Sequence, residues 1–262
     1  MRIMHNISAM NTYNKLSGAT NSQARSLEKL SSGFAINRAA DDAAGLAISE
    51  KMRAQIRGLD QAAQNAEDGI SYLQTAEGAL TEVSDMLTRI EELLVQKANN
   101  TYDDTTDIAN IELEMDALAD EIDNILDNTE FNGKNVFSES VEIVISDDAS
   151  TSLTIAAATT TATKALTGAA GSAMTKTQLD AAIDEVNEQR ATYGSQQNRL
   201  EHTLNNLEAT TENLQASESR IRDVDMAKEM TEYTKNNIIT QAATAMLAQA
   251  NQVPQSVLSL LQ

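Results

Sequence analysis

Several residue types are missing or scarce in this chain of 262 residues. It contains no cysteine and no tryptophan, one proline, ten glycines and two histidines, His5 and His202. Without cysteine there are no disulfides, thiolate metal sites or cysteine nucleophiles, and two distant histidines do not favour a histidine metal site. Helix breakers are rare and aromatic residues make up 3% of the chain. The composition therefore favours long packed helices over a globular core, and it indicates no cofactor.

The balance of charge excludes several kinds of partner. The chain carries 39 acidic and 19 basic residues, a net charge of −20 with a pI near 4.3, which argues against nucleic acid or an anionic membrane surface as a partner. No apolar run of about 18 residues is present, so we expect no membrane insertion. The N-terminus lacks the continuous apolar core of a cleaved signal peptide. We expect a cytosolic protein, or one exported by a machine that reads no such signal.

Apolar residues recur at alternating steps of four and three through most of the chain, the rhythm of packed helices and coiled coils. This rhythm predicts a long helix over residues 43–98, roughly 80 Å long, a second over 104–128 and a third over 177–222. Strict alternation predicts a single β-hairpin at about 140–157, and residues 156–172 are predicted to be a surface loop or weak strand. The predicted fold is mainly α: a long antiparallel bundle with one small hairpin.

Two acidic clusters invite a chemical interpretation, but a structural one is favoured for both. Asp41 and Asp42 precede a predicted helix, where they would cap it and interact with its dipole. The cluster on the second helix has helical spacing and lacks the glycine and alternating ligands of an EF-hand loop, so we interpret it as a solvated face. Its members are Asp116, Asp120, Glu121 and Asp123.

Both ends of the chain are helical in pattern and nearly uncharged. The last 27 residues contain no Asp, Glu, Lys or Arg, although a soluble monomer normally charges the outer side of such a helix. We predict that the two ends pair as a second coiled-coil domain, with Gly33 ending the first helix, a linker over 223–235, and a break or kink at Pro254. The predicted seam consists of Ile3, Ile7 and Met10 on one helix and Ile239, Ala243, Met246, Ala250, Val253, Val257 and Leu260 on the other.

Three motifs resemble those of one protein family, the bacterial flagellins. They are INRAADDAAGLAIS at residues 36–49, SRIRDVDMA at 219–227 and AQANQVPQ at 248–255. The resemblance covers roughly residues 1–135 and 177–262. Phe34-Ala35 stands where a Leu-Arg type of pair is common in the family. The middle of the chain is too short for the outer domains of larger flagellins.

The resemblance implies a structural filament subunit without an active site. Residues 1–35 and 223–262 would form the inner domain D0, and 36–176 with 177–222 the surrounding domain D1. The family's subunits are exported without a cleaved signal peptide to the extracellular flagellum. An export chaperone and the secretion apparatus, the filament cap and the hook-junction proteins are the implied partners, besides further copies of the chain.

The resemblance also implies a surface read by the vertebrate innate receptor TLR5. Residues 88–96, TRIEELLVQ, are similar to the segment that this receptor contacts, with Arg89 and Leu93 at matching positions and Glu114 on the next helix. Leu93 could serve the core instead, and Arg89 could be an ordinary surface charge.

Other classes of protein remain open from the residues alone. Another axial or hook-associated flagellar protein, or a type III secretion filament protein, would share paired terminal helices. A membrane-inserting helical protein would use the neutral C-terminus. An enzyme is the third class, but the chain contains no HExxH motif.

Overall fold

The computed structural model describes residues 6–99, 106–169 and 171–260, with side chains to residue 252. Its helices are α1 (Ile7–Ser32), α2 (Ala43–Lys97), α3 (Asp107–Asn128), α4 (Thr161–Thr167), α5 (Lys176–Arg222) and α6 (Met226–Leu260). Two hairpins lie between α3 and α4: β1 (Glu130–Phe131) with β2 (Lys134–Asn135), and β3 (Val141–Val144) with β4 (Ser152–Ile155). The mainly α fold is confirmed.

The chain divides into two compact units. The terminal unit contains residues 1–54 and 213–262, and the central unit contains 55–212. The predicted domain boundaries at 35/36 and 222/223 both lie within the terminal unit, and they stay a prediction.

The core of the central unit lies where α2, α3 and α5 present their apolar faces. The four-three rhythm of α2 is buried there, because Leu73, Ala76, Leu80, Val83, Leu87 and Ile90 are all at most 1% exposed. Met115 and Ile122 from α3, and Leu179 and Leu200 from α5, are completely buried in the same cluster. Packing of this kind, more than helix propensity, stabilises long helices.

The larger hairpin lies against α2 because two glycines on that helix leave room for it. β3 and β4 pair antiparallel from Val141–Ile155 to Val144–Ser152, and their inner side chains Ile143, Leu153 and Ile155 are buried. A Cβ on Gly69 would lie 2.2 Å from Cδ1 of Ile143, and a Cβ on Gly58 would lie 3.0 Å from Cα of Asp147. Both glycines therefore permit a close approach.

Two elements differ from the predictions. The predicted single hairpin is incomplete, since β1 and β2 form a second, very short one, whose turn places Asn132 at φ 52° and Gly133 at φ 77°. Residues 161–167, predicted to be loop or weak strand, form helix α4, in which Leu166 is completely buried.

The helix ends of the terminal unit are capped. Gly33 adopts the left-handed conformation after α1 and donates its N–H to the Lys29 carbonyl, the expected glycine C-cap. Asp42 accepts hydrogen bonds from the N–H groups of Ala44 and Gly45, as predicted for an N-cap. Asp225 caps α6 in the same way, through the N–H groups of Ala227 and Lys228.

The linker before the last helix is much shorter than predicted. α6 begins at Met226, so the predicted linker over residues 223–235 is wrong. The charges in this segment obscured the helix, because they are spaced along a face turned to solvent. The backbone of α6 continues through Pro254 to Leu260.

Candidate assembly surface

The helices α1 and α6 pair antiparallel in the terminal unit. At one end, the side chain of Asn6 donates a hydrogen bond of 2.8 Å to the Ala250 carbonyl. At the other end, Val224 donates its N–H to the Gly33 carbonyl at 2.9 Å. These two anchors place residue 10 of α1 at about the level of residue 246 of α6.

Small and polar residues form the seam between the two helices, which we call the intrachain seam. Buried and half-buried positions recur at steps of three and four on each helix, as in a coiled coil. The α1 side consists of Ala9, Thr12, Leu16, Ala19, Gln23, Ser26 and Leu30, and the α6 side of Tyr233, Asn236, Thr240, Ala243, Leu247 and Ala250. Such a seam buries little apolar area for its length.

Only part of the predicted apolar seam lies there. Ala243 is 9% exposed and Ala250 is half-buried. Ile239 and Met246, each one residue before a seam position, are 40% and 61% exposed. The predicted coiled-coil periodicity is real, but it is shifted by one residue at these positions because Thr240 and Leu247 occupy the seam.

On α1, Ile7 and Met10 lie on the side opposite the intrachain seam and are 63% and 62% exposed. Ile3 is outside the described residues, and so are the side chains of Val253, Val257 and Leu260.

An unusual number of large apolar side chains is therefore turned to solvent on α1 and α6. Soluble proteins that expose many large apolar side chains often use that surface for binding. We call this group the outward face: Ile7, Met10, Tyr13 and Leu27 on α1, and Met226, Met230, Ile238, Ile239 and Met246 on α6.

Contacts of Arg222 join two connections of the chain, the one between α1 and α2 and the one between α5 and α6. Its guanidinium carbon lies 4.7 Å from the centre of the Phe34 ring, within cation–π range. Its Nη1 donates a hydrogen bond of 2.6 Å to Oε1 of Glu50, and this bond is the main cause that lowers the pKa of the Glu50 carboxyl. Ala35 also donates its N–H to the Arg222 carbonyl. Phe34, the residue that departs from the family pattern, thus provides the ring in this cluster.

The three residues of the receptor-like patch differ in accessibility. Arg89 bonds Glu114 through Nε and Nη2, at 3.1 and 2.9 Å, and Glu92 through Nη1 at 2.9 Å. The bond to Glu114 is the main cause that raises the pKa of Arg89. Leu93 is 1% exposed and belongs to the core of the central unit.

The acidic side of α3 holds the segment that contains α4, a role that sequence analysis missed. Asp116 accepts a hydrogen bond from the Gly171 N–H, Asp123 from the Thr167 hydroxyl, and Asp127 from the Lys164 ammonium. The spacing of these carboxylates, which places them on one side of α3, was the only signal in the sequence.

The described part of the chain contains no metal-binding cluster and no helix suited to cross a membrane. No group of three or more His, Asp or Glu residues there could hold a metal ion. No described helix combines the length and apolarity needed to cross a bilayer.

A mainly helical chain whose paired ends turn apolar side chains outward has the features of a self-associating structural protein. Comparison with known proteins specifies that class. Residues 3–142 match the model of the bacterial flagellin N-terminal helical region, and residues 176–261 match that of the C-terminal helical region. This chain belongs to the bacterial flagellins.

Individual relatives align over their whole length. The chain is 49% identical to a flagellin of Bacillus subtilis and 49% identical to one of Halalkalibacterium halodurans, in each case over 100% of both chains. It is 46% identical to a flagellar filament 33 kDa core protein of Treponema phagedenis, again over 100% of both. A crystal structure of Bacillus cereus flagellin is similar at a TM-score of 0.49 and 35% identity, covering 55% of this chain and 88% of that one.

Membership of the family defines the role of the chain. It is a structural subunit that polymerises into the flagellar filament, the extracellular organelle of bacterial motility. The alternative of another axial or secretion filament protein is not favoured.

Proposed function

We propose that the outward face is the surface through which copies of this chain pack in the filament. The observation that carries the proposal is the contrast between the two sides of α1 and α6. Their mutual seam consists mainly of small and polar side chains, whereas Ile7, Met10 and Ile238 are each more than 60% exposed. Because apolar burial is the main favourable term in association, these side chains are the natural source of it.

The composition of the intrachain seam determines how far the stability of α1 and α6 depends on contacts with neighbouring subunits. Ala, Ser, Thr, Gln and Asn give less burial than the Leu and Ile of a stable two-stranded coiled coil. We therefore propose that α1 and α6 are marginally stable in the free subunit and become fully ordered on polymerisation. Trypsin should then cleave the free subunit at Lys15, Arg25 and Lys235 much faster than the polymer, and equal protection in both forms would contradict the proposal.

Seeded polymerisation of single variants tests the outward face. Ile238 is 61% exposed, and complete burial of an Ile side chain contributes about 2 kcal/mol, so Ile238→Ser should cost about 1 kcal/mol of subunit affinity. The critical concentration should rise roughly fivefold to tenfold.

Ala242→Ser is the matched control. Ala242 follows Ile238 by four residues on the same side of α6 and is also exposed, so the variant adds the same hydroxyl and removes no large apolar group. Its critical concentration should stay close to that of the wild type. Equal behaviour of the two variants would refute a packing role for Ile238.

We also propose that predicted positions outside the described side chains extend both surfaces. Ile3, which lies before α1, and Val253 and Leu260, which follow Met246 at steps of seven, would extend the outward face, whereas Val257 follows Ala250 by seven and would extend the intrachain seam. Deletion of residues 253–262 should leave the helical content of the central unit intact and abolish polymerisation. Filaments of the truncated chain in a sedimentation assay would contradict this.

The accessory partners are proposed from the family alone. A chaperone would hold the C-terminal region before export, the secretion apparatus would pass the subunit without cleaving a signal peptide, and the cap and hook-junction proteins would contact the growing filament. Co-purification of a chaperone with the full chain but not with a chain lacking residues 226–262 would support the first of these.

For the receptor-like patch, we propose that a TLR5-type receptor would contact Arg89 and Glu114 rather than Leu93. The two charged side chains are each about half exposed, and Leu93 is buried. Glu114→Gln should weaken receptor binding, whereas Glu121→Gln, an exposed acid elsewhere on α3, should not. Equal binding by wild type and Glu114→Gln would refute the assignment.

A further inference from the structure

The described methionines of this chain range from completely buried to 62% exposed, with Met52 and Met86 half-buried. Four of the ten are on the outward face: Met10 at 62%, Met226 at 49%, Met230 at 50% and Met246 at 61% exposed. We call these the outward methionines. In the core of the central unit, by contrast, Met115 is completely buried and Met174 is 6% exposed.

The outward methionines lie where packing between copies is proposed to occur. Antiparallel pairing places Met10 and Met246 at the same level of the two helices, as the bond from Asn6 to Ala250 requires. Met230 and Ile238 line a shallow depression on α6 together with Thr231, Thr234 and Lys235. The flexible thioether of methionine adapts to irregular surfaces, which suits a surface that must fit a neighbouring subunit.

An exposed thioether is also a site of oxidation. A peroxide transfers one oxygen atom to the methionine sulfur, the O–O bond breaks, and the other oxygen leaves as water when the oxidant is hydrogen peroxide. The sulfur loses two electrons and the peroxide gains them. The product, methionine sulfoxide, is polar and chiral, and reductases convert it back to methionine.

We propose that the outward methionines make polymerisation of this chain sensitive to oxidation. Sulfoxide oxygens cannot be buried in an apolar contact without a hydrogen-bond donor, so the oxidised subunit does not pack into the filament. In the polymer the same side chains are covered by neighbouring copies and are protected. Oxidation therefore removes free subunits from assembly and leaves finished filaments intact. This inference rests on the proposed role of the outward face.

Controlled oxidation of the purified full chain tests the proposal. Free subunits are treated with dilute hydrogen peroxide, the peroxide is removed with catalase, and sulfoxide is located by peptide mass mapping at all ten methionines. The outward methionines should be oxidised well before Met115 and Met174. Seeded polymerisation of this material should show a critical concentration at least about tenfold higher, since each lost apolar contact contributes on the order of a tenfold factor. Methionine sulfoxide reductase should restore it.

The matched control replaces all four outward methionines by leucine, a swap of similar volume. This variant should polymerise and should keep its critical concentration after the same peroxide treatment. Equal loss of polymerisation in this variant would place the damage elsewhere and overturn the proposal. So would normal polymerisation of wild-type chain whose outward methionines are oxidised.

Oxidation of finished filaments and a double variant complete the test. Peroxide treatment of finished filaments should oxidise the outward methionines many-fold more slowly than treatment of free subunits, and equal rates would overturn the proposed protection. If the fourfold variant does not polymerise, Met10→Leu with Met246→Leu is used, and reversal by the reductase still decides the wild-type arm. Equal critical concentrations for Ile238→Ser and Ala242→Ser would instead refute the proposed role of the outward face.

Discussion

Gly58 and Gly78 are both interior residues of α2, but only Gly58 has a neighbour where a side chain would go. A Cβ on Gly58 would lie 2.9 Å from Cβ, 3.0 Å from Cα and 3.2 Å from the carbonyl oxygen of Asp147, in the turn between β3 and β4. A Cβ on Gly78 would meet nothing within 4 Å. Alanine variants at these two positions therefore separate the packing role of Gly58 from the general destabilising effect of glycine inside a helix.

Two opposing contributions determine the change in the unfolding free energy of each variant. Replacing glycine by alanine in a helix interior contributes about 0.5–1 kcal/mol of stability. At position 58 the new Cβ meets backbone atoms of Asp147, so the hairpin must shift as a whole and the hydrogen bond from Gln55 to Asp147 is stretched. Overpacking of this kind costs about 1–3 kcal/mol. Gly78→Ala should therefore stabilise the protein, and Gly58→Ala should destabilise it or leave it unchanged.

Thermal unfolding followed by circular dichroism measures the difference. The helix term is common to both variants, so their difference reports the packing term of about 1–3 kcal/mol. For a chain of this length that corresponds to a separation of roughly 2–12 °C in Tm, with Gly78→Ala the higher. If Gly58→Ala unfolds at or above the temperature of Gly78→Ala, the hairpin does not rest on α2 at this position and the reasoning is refuted.

The remaining predictions concern the Arg222 cluster and α4. Phe34→Leu removes the ring face below the Arg222 guanidinium and should cost about 0.5–1 kcal/mol of the unfolding free energy; a double-mutant cycle with Arg222→Lys should show coupling, and strict additivity would contradict the contact. Leu166→Ala empties a completely buried position and should cost about 2–5 kcal/mol in urea unfolding. Its control Leu113→Ala, at a side chain 71% exposed, should change stability by less than about 0.5 kcal/mol.

The long helices were predictable because their burial follows a regular pattern. α2 spans Ala43–Lys97 against the predicted 43–98, and α5 spans Lys176–Arg222 against 177–222. In both helices the regularly spaced apolar residues are the ones that pack, because a helix that lies against two others buries its large side chains on one side. The capping roles of Gly33 and Asp42 were also evident, because each depends on the neighbouring backbone alone.

The elements that were missed depend on partners distant in the sequence. α4 is seven residues long, too short for a periodic pattern, and it is held by Leu166 in the core and by carboxylates of α3. β1 and β2 have two residues each, so no alternation can be seen, although Asn132-Gly133 marks the turn. The start of α6 was hidden because charges lie along its outer side and because, of the seam positions, only Tyr233 falls within residues 226–235.

The distribution of charge explains how an acidic chain can still pack closely against copies of itself. Residues 1–54 and 213–262 contain eleven basic and nine acidic residues, a net charge of +2, whereas residues 55–212 contain eight basic and thirty acidic residues, a net charge of −22. Strong like charge opposes association and keeps proteins soluble. Here it is confined to the central unit, and the unit that carries the outward face is nearly neutral. In the proposed packing, copies that meet through α1 and α6 bury Ile7, Met10 and Ile238 without bringing large like charges of those helices together. The exposed apolar side chains and the segregation of charge therefore support the same proposal, association through the terminal unit.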